Sequence, residues 1–78
     1  MRLSKFHELI ADEFGAAESK VLLADFALLE LGDKTANTLL AQGEDPGVIW
    51  LAICRAQGVP KERQAGLDKK AKNRHAEN

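Results

Sequence analysis

Tyrosine is absent from this chain, tryptophan, methionine and cysteine each occur once, and there are only two prolines. A single cysteine excludes an intrachain disulfide, and together with His7 and His75 it falls short of the four soft ligands usual for structural zinc. No metal or cofactor is therefore expected, and the redox setting reads as reducing and cytoplasmic. No apolar run approaches the roughly 20 residues that cross a bilayer. Residues 1 to 20 scatter Lys5, Glu8, Asp12, Glu13 and Glu18 among short apolar stretches, so neither a signal peptide nor a membrane span is expected.

Catalytic constellations are missing as well. His7 and Glu8 begin a zinc-helix pattern, but position 11 is Ala11 where a second histidine would be needed. Leu31 to Thr35 contain a glycine, a lysine and a threonine without the leading glycine and preceding strand of a phosphate loop. Ser4 and Ser19 lie at or near helix starts with no evident base, and Cys54 has only Arg55 beside it in an apolar helix. The chain does not read as an enzyme. There is no internal repeat, no period-two alternation and no hairpin signal, so strands are not expected.

What is present is helix punctuation. Asp45 before Pro46 is an N-cap with proline at the first helical position, and Gly58 suits a left-handed helix end, so a helix should run from Pro46 to about Gln57. Its face of Val48, Ile49, Ala52, Ile53 and Ala56 is backed by Trp50, Leu51 and Cys54, which leaves it apolar nearly all round and predicts burial. Leu3, Phe6, Leu9, Ile10 and Phe14 recur at helical spacing and predict a first helix from about Lys5 to Phe14, with Ser4 as cap and Gly15 as stop. Val21, Ala24, Leu28 and Leu31, beside Leu22, Phe26 and Leu29, predict a second from about Ala17 to Leu31. Thr35 caps a short third helix, Ala36 to Gln42. The fold class is thus all-α, a small compact bundle of four short helices with room for a fifth single turn at Lys61 to Gln64.

The expected core is Leu3, Phe6, Leu9, Ile10, Phe14, Val21, Leu22, Phe26, Leu28, Leu29, Leu39, Leu40, Ile49, Ile53 and Val59. Charge divides the chain unevenly. Residues 1 to 60 carry five basic and nine acidic side chains, a balance of −4, whereas residues 61 to 78 stand at +3. The helical domain is therefore placed at residues 1–65, and residues 66–78 read as a disordered basic tail that folding does not need.

Three residues are candidates for an interaction site. Asp25 projects between two apolar stripes, and reads as a boundary acid bonded to Arg2, His7, a capping amide or the Trp50 indole, with catalysis or plain exposure as alternatives. Trp50 reads as mostly buried, its indole N–H reaching Asp25 or a carbonyl at a helix end; were it exposed, it would be the natural anchor for a partner. Arg55 is one of the few polar residues of its helix. Two functions follow. The leading one is a small monomeric protein-interaction module. The other is a nucleic-acid binder, because Thr35 to Ala56 imitates a helix-turn-helix, although the domain's negative charge opposes phosphate.

M-R-L-S-K-F at the start, D-E-F-G at Asp12 to Gly15, L-G-x-K-T at Leu31 to Thr35, D-P-x-x-I-W at Asp45 to Trp50, A-I-C at Ala52 to Cys54 and V-P at Val59 and Pro60 together resemble the actinobacterial domain-of-unknown-function family 3046. The resemblance covers residues 1 to 63. It implies a short cytosolic protein with at most a weak link to DNA metabolism, since some members are encoded near recombinase genes. Asp33 and Lys34 stand where the family's turn usually has Gly-Arg before the threonine, so no role of a guanidinium carries over there. The resemblance brings no catalytic or binding residue with it.

Overall fold

Asp45 accepts a hydrogen bond on Oδ2 from the Val48 amide at 3.2 Å, and with Pro46 behind it this cap starts the helix Pro46–Gln57 that the rest of the chain surrounds. The computed structural model describes residues 1–64. Four α-helices follow in order: α1, Leu3–Phe14; α2, Ala16–Asp25; α3, Ala36–Ala41; and α4, Pro46–Gln57. Single 3-10 turns occupy Leu29–Leu31 and Lys61–Arg63, the latter where a fifth turn was expected. Thr35 caps α3 by accepting from the Thr38 amide. Asp45→Ala should cost about 1 kcal/mol, read as a fall in melting temperature of roughly 5 °C.

The all-α expectation needs correction between Phe26 and Thr35. Helix α2 stops at Asp25 and Phe26 turns extended. Two short strands, β1 at Ala27–Leu28 and β2 at Lys34–Thr35, then pair antiparallel, Ala27 opposite Thr35 and Leu28 opposite Lys34. The reversal depends on Gly32 at φ 87° followed by Asp33 at φ 61°, two consecutive residues in the left-handed region. Asp33 donates its amide to the Leu28 carbonyl at 2.9 Å and closes the turn. As a strand residue Leu28 is 1 % exposed, while its neighbour Leu29 stands out at 82 %.

The start of α1 also differs. The chain is helical from Leu3, Phe6 donating to the Arg2 carbonyl at 3.0 Å, so Ser4 lies inside the first turn and Arg2 occupies the cap position with no side-chain bond. Gly15 ends α1 as expected, but at φ 87° and ψ 154°, an extended region open only to glycine. It joins α1 to α2 with no loop between them. Ser19 secures the junction, its hydroxyl donating to the carbonyls of Gly15 at 2.7 Å and Ala16 at 3.0 Å.

The core comprises Phe6, Leu9, Ile10, Leu22, Leu23, Leu28, Ala36, Leu39, Ile49, Trp50, Ala52, Ile53, Cys54 and Val59. Phe14, Phe26, Leu31 and Leu40 pack against it half-buried. Leu3, Val21 and Leu29, all expected inside, are exposed instead. Leu3 sits in the first turn of α1, Val21 on the outer side of α2, and Leu29 on the turn that the strand pair pushes outward. The α4 helix is not sealed all round either, since Val48 and Leu51 share an exposed stripe with Arg55. The expected disorder of the tail from residue 66 lies outside the described residues.

Candidate functional site

Three sequence candidates separate in space. Trp50 belongs to the core at 2 % exposure, and its indole N–H donates to the Gln64 carbonyl at 2.9 Å. The acceptor is thus the backbone that closes the last turn, not Asp25. Gln64 returns a side-chain bond to the Val59 carbonyl at 3.0 Å, and Arg63 pairs with Glu13 at 3.0 Å, so the final described turn is held over Trp50 from both sides. A ring so enclosed offers no anchor to a partner.

Asp25 is exposed, and among the described residues its carboxylate has no hydrogen-bond or ion-pair partner. The boundary bond to Arg2, His7, a capping amide or Trp50 does not form, because α2 ends at Asp25 and the chain turns away. Arg55 is engaged by Glu30, 25 residues earlier. Its Nε donates to both carboxylate oxygens at 3.1 Å and Nη2 donates to Oε2. The hydrogen bond from Arg55 holds the Glu30 carboxyl below its ordinary value of 4.5, against an opposing desolvation and with help from the Arg55 charge. With the folded value depressed, the pair's stabilisation is present above the unfolded value and is lost as pH falls through the folded one. Glu30→Gln should therefore lower the melting temperature slightly at neutral pH, and the curves of mutant and parent should converge on acidification below pH 4.5.

Phe26 lies between two surface depressions. One is lined by Phe26, Leu28, Leu29, Ala52, Arg55 and Ala56, with Glu30 at its edge. The other is lined by Phe14, Glu18, Val21, Leu22, Asp25 and Gln57, and again by Phe26. Together they form an apolar shelf along the side of α4 and the outer face of α2. Val21 at 53 % and Leu29 at 82 % exposure stand on its two halves. Sequence reasoning found Asp25 and Arg55 at its borders but placed Val21 and Leu29 in the core. For Leu29 the missed signal is Gly32-Asp33, which can reverse the chain between two short strands as well as stop a helix; Val21, in the middle of α2, had no local signal.

Reactive groups do not gather at this shelf or elsewhere in the described residues. Burial pushes the Cys54 thiol up to about 11, with Glu13 adding to the rise and Arg55 opposing it, so the thiolate is scarce near neutrality. No three His, Cys, Asp or Glu side chains among the described residues converge on a point where a metal could sit. Helices α3 and α4 keep the order of a helix-turn-helix, yet Glu44 and Asp45 stand at the start of the second helix, where base-reading residues belong. No described helix is long and apolar enough to cross a membrane.

Fold and site define a small helical domain with a two-stranded pair and an exposed apolar shelf. Residues 1–62 match the family model described as "Protein of unknown function (DUF3046)", and the chain belongs to that family. No curated protein and no solved structure matches it.

Proposed function

We propose that this chain is a cytoplasmic protein-interaction module, an adaptor or regulator without catalytic activity, which as a monomer docks a protein partner on the shelf around Phe26. The observation that carries this reading is the exposure of Val21 and Leu29 on adjoining apolar depressions. Large apolar side chains held out of a core this small contribute little to folding, and their clustering on one side of the molecule suits contact with another protein. Nucleic-acid recognition by α3 and α4 is the competing reading. It is disfavoured by the acidic start of α4, by the engagement of Arg55 with Glu30, and by a balance of −3 over residues 1–64, where seven basic side chains meet ten acidic ones.

The test is affinity capture from the native cell with the parent chain and with the double variant Val21→Ser, Leu29→Ser. Both sites are exposed, so the variant should melt close to the parent, each substitution changing stability by no more than about 0.5 kcal/mol. Its captured protein partners should be lost. Retention of the same partners by a folded variant would overturn the proposal, and a DNA affinity with a steep salt slope would favour the competing one.

A further inference from the structure

The two halves of the shelf differ in charge. Beside Leu29 the one carboxylate, Glu30, is already neutralised by Arg55. The half between α2 and the end of α4 has two carboxylates, Glu18 and Asp25, and no basic side chain in its lining. Arg63, in the last described turn, is engaged by Glu13 at the adjoining end of α1. Glu18 and Asp25 are seven residues apart on α2, roughly 10 Å along the helix, and Val21 and Leu22 lie between them on the same face. Across the depression stand Phe14, Phe26 and Gln57. The pattern is an apolar seat with a negative charge at each end.

We infer that this half of the shelf takes a cationic amphipathic segment of a protein partner, with a leucine-like side chain against Val21, Leu22 and Phe26 and lysine or arginine side chains beside Glu18 and Asp25. The inference rests on the docking reading above and names its partner's chemistry. The apolar contact supplies most of the affinity. Exposed carboxylates add little energy each, but they select the sign of the incoming segment and speed its encounter. A helical partner repeats its side chains at the same spacing as α2, so two cations flanking an apolar residue match the seat.

The probe is a synthetic helical peptide with leucines along one face and lysines elsewhere, titrated into the full isotope-labelled chain and followed by two-dimensional NMR. Its counterpart has glutamates in place of the lysines. The lysine peptide should shift the resonances of Val21, Leu22, Asp25, Phe26 and Gln57, and Glu18→Gln with Asp25→Asn should weaken it about fivefold at low salt, in line with two exposed ion pairs. Equal or tighter binding of the glutamate peptide at these residues would overturn the cationic assignment while leaving the docking reading intact. No perturbation of these residues by either peptide would also overturn it, and the capture experiment with Val21→Ser, Leu29→Ser would then decide the docking reading separately. Without peptide, shifts of Val21 and Phe26 caused by Leu67→Ser in the full chain would make the chain's own basic end the occupant. Shifts on dilution would make it a second copy. Either result would overturn the inference.

Discussion

Trp50→Ala is expected to cost about 3 to 5 kcal/mol and to leave the chain largely unfolded at room temperature. A domain of this size whose single cysteine allows no internal disulfide has only about 3 to 5 kcal/mol to lose. Trp50 is the largest of the fully buried side chains, and its removal empties the centre of the core beside Ile49 and Ile53. It also deprives the Gln64 carbonyl of its donor. Trp50→Phe separates the two contributions, because the ring volume is mostly retained while the N–H is lost. That variant should stay folded, with stability reduced by about 1 to 2 kcal/mol. Circular dichroism with thermal melts of the three proteins checks both outcomes.

Phe6→Ala should cost nearly as much, about 3 to 5 kcal/mol, since Phe6 is 0 % exposed and α1 contributes only Leu9 and Ile10 to the core beside it. Leu3→Ala on the same helix is the comparison. Both residues belong to one apolar stripe in the sequence, yet Leu3 is 49 % exposed, and its truncation should change stability by no more than about 0.5 kcal/mol. Urea unfolding of the pair gives a direct reading of which end of α1 is packed.

That contrast shows where the sequence is legible. Helix α4 could be read from end to end, because its limits are set by local chemistry: the Asp45 side chain, the Pro46 ring, and Gly58 in the left-handed region at φ 71°. The same holds for the Thr35 cap and the turn after Pro60. Burial along a stripe is a tertiary property, and spacing alone does not say where a neighbouring helix ends, so Leu3 and Val21 were misplaced. The strand pair was hidden for a related reason. Phe26, Leu28, Leu29 and Leu31 fit a helical stripe as well as a short hairpin, and the two-residue strands are too brief to alternate visibly.

The site was less legible than the fold. Its charged residues are informative only with their partners, and Glu30 meets Arg55 across 25 residues of chain that no local pattern connects. Val21 and Leu29 look like core residues in any one-dimensional reading. Val21 is exposed because it stands on the outer side of α2, and Leu29 because α2 stops at Asp25 and Gly32 and Asp33 reverse the chain beyond it. Trp50, read from the sequence as mostly buried with its N–H on Asp25 or a carbonyl at a helix end, is buried, and its acceptor is the Gln64 carbonyl.

Burial of Trp50 in the core is what leaves the shelf around Phe26 as the proposed interaction surface. Acrylamide quenching of intrinsic fluorescence tests this most directly, because Trp50 is the only tryptophan and the chain has no tyrosine. The native protein should emit at short wavelength and resist quenching, becoming fully quenchable only on unfolding in denaturant. Quenching of the native chain to the extent of free indole would contradict the account and return Trp50 to the surface.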